Sequence, residues 1–197
     1  MHLMVFGGAF DPLHNGHVDI VNYLLNVSTL DQLLIVPTGQ PVHKSETFFP
    51  SQVRLDMLNQ VFGHIDRVNI LDVEIQKQQP SYTIDTIQFL KQQYSPESIT
   101  LVVGFDQLYQ FHRWRKYELI LDRCQLLVIL REGIDHQRLL NVFPEELAMF
   151  KDKIKIHEMY PTNTSSTQLR IMIKKKQAID AYVPTEVAAI IKSFISF

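Results

Sequence analysis

The stretch GGAFDPLHNGH at residues 7–17 decides how this chain folds and what it can bind. It follows an apolar run at residues 3–6, which is typical of a short buried strand, and it leads into an amphipathic segment that predicts a helix beginning near Asn15 or Gly16. The two glycines at its start carry no side chain, so the backbone can turn sharply and approach a ligand closely. The start of the following helix directs N–H groups and partial positive charge at the same place. This strand–turn–helix unit therefore favours a polyphosphate ligand.

His14 and His17 add two imidazoles to this turn, and their spacing puts them on one face where the backbone is helical. Two other interpretations stay open from these residues alone: a metal-binding pair, and polar side chains at a helix start. Only Asp11 lies nearby, and no cysteine or second histidine cluster completes a zinc ligand set. A capping role does not by itself require two glycines, a proline and two histidines in one turn.

A second candidate anion site lies in TSSTQLR at residues 164–170. Hydroxyls at a helix start either cap N–H groups or yield them to an anion. Arg170 follows one turn later, and its planar guanidinium suits phosphate oxygens. Alone, this stretch is most often a plain N-cap, but its occurrence together with residues 7–17 strengthens the phosphate interpretation.

The composition agrees with a soluble enzyme. The chain of 197 residues is 46% hydrophobic, which predicts one substantial core and a single domain over 1–197. A net charge of −2 gives no electrostatic sign of nucleic-acid binding, and no run predicts a secretion signal or a membrane span. The single cysteine, Cys124, rules out an internal disulfide and predicts a buried thiol, which fits the cytoplasm.

Apolar runs alternate with helical patterns along the chain. Strands are predicted at residues 3–6, 33–36, 68–71, 99–103, 126–130 and 154–157. Helices are predicted at residues 18–26, 52–62, 83–94, 119–123, 139–150, 169–176 and 185–194. This alternation predicts an α/β protein with a Rossmann-like, doubly wound parallel sheet of five or six strands, helices on both faces and C-terminal helices.

Ligands of such sheets bind beyond the carboxyl ends of the strands. Gly7, Pro37, Gly104 and Arg131 all fall at predicted strand ends, so the motifs converge on one edge. The chain contains no G-x-G-x-x-G and no Walker A sequence, which disfavours a standard dinucleotide fold and a P-loop ATPase.

The pair of motifs resembles the nucleotidylyltransferase superfamily, whose signatures are H-x-G-H in the first turn and I-S-S-T-x-[IL]-R near the C-terminus. Thr164 replaces the usual Ile. Further stretches are similar, in order, to the bacterial nicotinate-nucleotide adenylyltransferases: P-x-H-K at 41–44, R-x-x-M-L at 54–58, S-Y-T-x-D-T at 81–86, G-x-D at 104–106, and then Trp114. The departures from that family are Ala9, Val42 and Phe105.

This resemblance implies transfer of the adenylyl group of ATP to nicotinate mononucleotide, with Mg²⁺ held through the ATP phosphates and no protein metal site. The implied catalytic residues are His14, His17 and Arg170. The implied ATP-binding residues are Gly7, Gly8, Ala9, Phe10, Lys44, Gly104, Asp106, Ser165, Ser166 and Thr167. The implied residues for the pyridine end are Tyr82, Thr83 and Trp114. The expected partners are these two substrates, without nucleic acid or membrane, and a homo-oligomer stays open.

Simpler interpretations stand beside these roles. Ser81 and Thr83 serve equally well as helix caps, Trp114 as an interface patch or a core anchor, and Arg54 as a solubilising charge. His43 and Lys44 would ordinarily be solvated surface. Three rival functions remain: a phosphopantetheine adenylyltransferase, a cytidylyltransferase, and a regulatory domain that binds a nucleotide without turnover.

Overall fold

The computed structural model describes residues 1–27, 29–39, 47–77, 79–130, 143–159 and 161–195. Lys44 and Arg131 lie outside these residues, as does Val42. The strands are β1 (His2–Gly8), β2 (Gln32–Pro37), β3 (Val68–Ile70), β4 (Ser98–Gly104), β5 (Gln125–Ile129) and β6 (Ile154–His157). The helices are α1 (Asn15–Val27), α2 (Ser51–Phe62), α3 (Thr83–Tyr94), α4 (Phe105–Gln110), α5 (Tyr117–Arg123), α6 (Ser166–Lys174) and α7 (Thr185–Ile195).

The six strands form one parallel sheet in the order β3-β2-β1-β4-β5-β6. The order reverses between β1 and β4, which is the switch point where ligands of doubly wound sheets bind. The predicted fold class is therefore confirmed, with six strands. The motif at residues 7–17 begins in the last two residues of the central strand β1 and continues beyond its carboxyl end at this switch point.

Alternate residues of each strand face opposite sides of the sheet, so the strands are apolar on both faces. Met4 and Phe6 of β1 pack with α1, α2 and α7 on one side, whereas Leu3 and Val5 pack with α3 and α5 on the other. Two hydrophobic clusters thus hold the sheet between two helical layers. No helix among the described residues is long and apolar enough to cross a membrane.

Two local features differ from the sequence predictions. The helix predicted at 139–150 is wrong where it can be compared, because residues 145–153 form a kinked 3-10 helix rather than an α-helix; residues 139–142 lie outside the described ranges. Two further helices, α4 and the 3-10 helix Phe111–Arg113 that follows it, were not predicted from the sequence. Both are short, and short helices lack the repeated turns from which periodicity is detected.

The predicted buried thiol is confirmed. Cys124 is buried at the end of α5, and its Sγ donates to the Ile120 carbonyl at 3.1 Å. Burial raises the pKa of the Cys124 thiol to about 12, an effect that the nearby Lys91 and Lys153 charges oppose. This thiol is not a nucleophile at neutral pH.

The backbone contact between Gly39 and the segment after β3 yields a stability prediction. A Cβ on Gly39 would lie 2.1 Å from the Glu74 carbonyl oxygen, so the backbone itself must move. Gly39→Ala is therefore expected to lower the free energy of unfolding by about 1–3 kcal/mol or more, measured by urea denaturation.

Gly104→Ala is the matched control for stability. A Cβ on Gly104 meets nothing within 4 Å, and its φ of −77° suits alanine. Its free energy of unfolding is expected to change by about 0.5 kcal/mol or less, because the entropy gain of the alanine is offset by the preference for glycine over alanine at an N-cap. Equal stability of the two variants would contradict the packing described for Gly39.

Candidate active site

The turn after β1 is held by the aromatic ring of Phe10. This residue is buried at a left-handed φ of 48°, and its ring meets the rings of His17 and Phe6 edge-on, with centroids 5.0 Å and 5.5 Å away. A Cβ on Gly8 would come within 3.2 Å of that ring, so any larger residue would push the ring aside by a few tenths of an ångström. The Phe10 side chain therefore has a structural role in packing this turn.

His14 and His17 lie together as the sequence predicts. Their rings are stacked, with centroids 3.7 Å apart and planes 25° apart. The His14 backbone N–H donates to His17 Nδ1 at 3.3 Å, so in the neutral ring the proton sits on Nε2 and makes that atom a donor. Within the described ranges, no group of three or more His, Cys, Asp or Glu side chains is placed to hold a metal ion.

The two motifs meet in space although the bonded residues Ser166 and Pro12 are 154 positions apart in sequence. Ser166 Oγ donates to the Pro12 carbonyl at 3.0 Å, and Arg170 Nη1 donates to the neighbouring Asp11 carbonyl at 2.8 Å. Ser165 is the N-cap of α6, because its hydroxyl accepts from the Gln168 N–H at 3.2 Å. The plain N-cap interpretation therefore applies to Ser165 alone.

Asp11 connects these motifs to the segment that precedes α2. Its two carboxylate oxygens accept the N–H groups of Phe48 and Phe49, each at 2.8 Å. The same carboxylate lies 3.8 Å from Arg170 Nη1, and Asp11 is buried. One side chain thus ties together the turn after β1, the segment before α2 and the start of α6.

Arg54 is a buried structural residue, so its interpretation as a solubilising surface charge is wrong. Its side chain is fully buried, and the guanidinium donates to the carbonyls of Ala9 at 2.6 Å and Thr38 at 2.9 Å. Burial lowers the pKa of Arg54, and the Asp11 carboxylate opposes that shift. The signal was its spacing: Met57 and Leu58, one turn further along α2, are also buried.

A cavity of about 1160 Å³ opens beside these residues at the carboxyl edge of the sheet. Of the predicted site residues, those that line it are Gly7, Gly8, Ala9, Tyr82, Thr83, Trp114 and Arg170. Those that lie in the adjoining turns without lining it are Phe10, His14, His17, Gly104, Asp106, Ser165, Ser166 and Thr167. Lys44 falls outside the described residues.

The end of the cavity expected to take the pyridine ring is formed by α3 and the segment after α4. Trp114 packs on buried Phe111, with ring centroids 4.8 Å apart, so it is anchored on the core and is not a surface patch. The N-cap of α3 is Tyr82 and has no side-chain cap, which makes the capping interpretation of Ser81 and Thr83 wrong. The Ser81 hydroxyl is buried at the cavity wall and makes no hydrogen bond with the described residues.

The charges lining the cavity are predominantly positive. The cations are Arg113, Arg115, Arg170 and Lys174, and the carboxyl groups are Asp11 and Glu74. Glu74 accepts the Thr86 hydroxyl at 2.6 Å; burial raises the pKa of Glu74, and the Thr86 bond and the Lys77 charge oppose that shift. With Asp11 already paired, the cavity favours an anionic ligand.

Lys174 and Arg115 could have been identified as site residues from the sequence, whereas Glu74 could not. Lys174 stands one helical turn beyond Arg170 on α6, so both project from one face. Arg115 flanks Trp114 directly. Glu74 had no signal, because only the fold brings its segment against Thr86.

The adenosine end is expected near the carboxyl end of β4, beside the switch point. Asp106 is exposed in the first turn of α4, where the helix starts immediately after Gly104. The Gly104 N–H donates to Gln107 Oε1 at 3.0 Å, and Gln107 lines the cavity. Gly104 and Asp106 thus both lie at the carboxyl end of β4, where the adenosine ribose is expected.

A parallel sheet with a cationic cavity at its switch point, bordered by a histidine-bearing turn and a hydroxyl-rich helix start, defines a nucleotide-binding α/β protein. The cytidylyltransferase-like family matches residues 5–172. A protein from Nitratiruptor sp., named a probable nicotinate-nucleotide adenylyltransferase, is 35% identical over 188 residues and 95% of both chains. A protein from Clostridium tetani, also named a probable nicotinate-nucleotide adenylyltransferase, is 30% identical to this chain over 96% of each of the two chains.

Solved structures agree on the fold. Plasmodium falciparum nicotinic acid mononucleotide adenylyltransferase complexed with NaAD superimposes with a TM-score of 0.77 at 17% identity, over 98% of this chain and 95% of that one. The chain belongs to the nicotinate-nucleotide adenylyltransferases of the cytidylyltransferase-like family. The resemblance given by the motifs is confirmed, and the chain is a nucleotidyltransferase.

The contacts of Arg54 predict a large loss when the guanidinium is removed. Arg54→Met keeps a long side chain but leaves the Ala9 and Thr38 carbonyls without their donor. We expect the free energy of unfolding to fall by at least about 1–3 kcal/mol, measured by urea denaturation. Arg67→Met, at an exposed arginine, is the matched control and is expected to change stability by about 0.5 kcal/mol or less. Similar effects of the two substitutions would contradict the role given to Arg54.

Proposed function

We propose that this chain transfers the adenylyl group of ATP to nicotinate mononucleotide, giving nicotinate adenine dinucleotide and pyrophosphate. The observation that carries the proposal is the junction of the two motifs, where Ser166 and Arg170 bond to consecutive carbonyls of the turn after β1. This junction borders the cationic cavity at the switch point of the sheet. The sequence relatives, named for this activity, support the same assignment.

Adenylyl transfer requires the protein to position the two substrates and to neutralise the charge on the phosphate oxygens. A 5′-phosphate oxygen of the mononucleotide attacks the α-phosphorus of ATP in line, the new P–O bond forms, and the bond to the β-phosphate oxygen breaks to release pyrophosphate. No covalent enzyme intermediate is needed. The chain contributes donors aimed at the oxygens where charge develops.

The histidine-bearing turn is assigned to the triphosphate. His17 Nε2, with its proton directed by the His14 bond to Nδ1, would donate to the α-phosphoryl oxygens. Backbone N–H groups of residues 7–10 and of Ser166 would bind the neighbouring phosphate oxygens. His14 supports the His17 ring by stacking on it.

Arg170 is assigned to the leaving β- and γ-phosphates. Its described hydrogen bonds, to the Asp11 carbonyl and to Thr167 Oγ1, use two of the five guanidinium N–H donors, and its side chain lines the cavity. Lys174, one turn further along α6, adds a second cation on the same wall. Lys44 keeps its predicted role in approaching the phosphates.

Mg²⁺ is proposed to enter with the ATP phosphates. The residues present fit such an ion, because the two lining carboxyl groups, Asp11 and Glu74, already accept donors from the protein and leave coordination to phosphate oxygens and water. When bound, the ion neutralises phosphate charge. We also propose cytoplasmic action; a homo-oligomer remains a prediction.

The acceptor is assigned to the end of the cavity at α3. The Trp114 indole, held by Phe111, would stack on the pyridine ring, and N–H groups at the start of α3 near Thr83 would bind its carboxylate. Charge-assisted hydrogen bonds are stronger than neutral ones, and a nicotinamide NH₂ would face donors there. We therefore expect a preference for nicotinate over nicotinamide mononucleotide of about 10-fold or more, by 1.4 kcal/mol per decade.

A pyrophosphate-release assay tests the function against its rivals. ATP and CTP are each combined with nicotinate mononucleotide, nicotinamide mononucleotide and phosphopantetheine. The proposal expects turnover with ATP and nicotinate mononucleotide above every other pair. Turnover only with phosphopantetheine, only with CTP, or with none of the pairs would support the pantetheine enzyme, the cytidylyltransferase or the regulatory domain, respectively.

His17→Ala is expected to lower kcat on the order of 100-fold, the scale for removing one donor to a developing charge. The acceptor affinity is expected to change little, because the lost bond strengthens in the transition state. Steady-state kinetics measure both quantities, and exposed His64→Ala serves as the control with unchanged kcat. A folded His17→Ala enzyme with near-normal kcat would show that the role is misassigned.

Arg170→Lys keeps the charge and loses the planar fork, so it is not expected to behave as a conservative change. The KM for ATP should rise about 10-fold, with the acceptor KM within a factor of about 2. Kinetics at varied ATP, compared with Arg67→Lys at an exposed position, check this outcome. An unchanged KM for ATP would mean that Arg170 serves only to bind Asp11 and Thr167.

A further inference from the structure

The guanidinium of Arg115 is placed at the acceptor end of the cavity by an aromatic ring. Its Cζ lies 4.4 Å from the centroid of the Tyr82 ring, which is a cation–π contact. Both side chains line the cavity together with Thr83 and Trp114. The contact joins the start of α3 to the segment after α4, the two pieces of chain that form this end of the cavity.

The charge of Arg115 is not neutralised by the described part of the protein. None of the ion pairs there involves Arg115, although an exposed arginine commonly finds a carboxylate partner. The Tyr82 ring occupies one face of the guanidinium plane and leaves the N–H edge available. An N–H edge binds a carboxylate in the plane through two parallel hydrogen bonds.

We propose that Arg115 is a specificity-determining residue that binds the pyridine carboxylate of the acceptor and so selects the acid over the amide; this rests on the proposed function. Stacking on Tyr82 orients the Arg115 guanidinium before the ligand binds, so less side-chain conformational entropy is lost on binding. A carboxamide offers one acceptor oxygen and an NH₂ group that meets donors. The Arg115 side chain therefore distinguishes the carboxylate from the carboxamide directly, in addition to the backbone N–H groups near Thr83.

The same cation could instead bind the 5′-phosphate, which both mononucleotides share. The two roles separate experimentally, because a phosphate contact changes both acceptors equally whereas a carboxylate contact changes their ratio. Arg113 provides a matched comparison: it is an arginine that lines the same cavity, and no described aromatic ring stacks on it.

The experiment compares the native enzyme with Arg115→Gln, Arg115→Lys and Arg113→Gln. Binding of nicotinate and nicotinamide mononucleotides is followed by the fluorescence of Trp114, the single tryptophan of the chain, so this readout does not depend on turnover. kcat/KM with ATP is then measured for each acceptor. Circular dichroism confirms that each variant folds.

The inference expects Arg115→Gln to weaken binding of the acid on the order of 10-fold, with the amide changed by less than about 2-fold. Arg115→Lys should restore only part of the preference, and Arg113→Gln should leave the acid-to-amide ratio unchanged. An equal effect of Arg115→Gln on both ligands, or no effect on either, would overturn the inference.

The failure of the proposed function gives a different result. If the native enzyme binds the acid preferentially through Arg115 but transfers no adenylyl group, the proposed function is wrong and the role proposed for Arg115 is supported. If it turns over nicotinate mononucleotide with an acid preference that Arg115→Gln does not change, the inference falls and the function stands. If neither mononucleotide binds, both are wrong.

Discussion

The buried carboxylate of Asp11 is the constraint on which the rest of this site depends. It sits at the carboxyl end of the central strand, where it accepts two backbone N–H groups from the segment before α2 and lies beside Arg170 of α6. A buried charge is tolerated only when such partners satisfy it. The guanidinium of Arg54 provides an opposite charge that interacts with the Asp11 carboxylate, and it donates hydrogen bonds to the carbonyls of Ala9 and Thr38. Together with the Arg170 bond to the Asp11 carbonyl, these contacts turn all three carbonyls toward protein donors.

The sheet and the phosphate motifs could be predicted from the sequence because their signals are local. Apolar runs bounded by turn residues gave the strands, with β6 at its observed bounds and the others within two residues at either end. The turn at residues 7–17 needs only its own glycines and the next helix to be recognised. The resemblance added which distant stretches belong together, and the bond from Ser166 to Pro12 gives that pairing its physical basis.

The supporting residues could not be predicted in the same way. Arg54 is a charged residue on a helix, and such residues are mostly exposed; its burial depends on carbonyls from two other segments. Glu74 is bound by Thr86 only because the fold brings the segment after β3 against α3. The positive cavity could not be predicted from a net charge of −2, because it depends on the fold bringing four cations but only two carboxyl groups, Asp11 and Glu74, to one surface. Composition reports the sum of charges and carries no information on their placement.

The order of the two motifs along the chain has a consequence for synthesis. The turn after β1 leaves the ribosome early, whereas its partners Ser166 and Arg170 arrive after the whole sheet has been made. A nascent chain that lacks α6 holds the histidines but neither of these two contacts. α7, emerging later still, packs against α2 and completes one of the two hydrophobic clusters. The junction between the two motifs therefore forms only after α6 has been added.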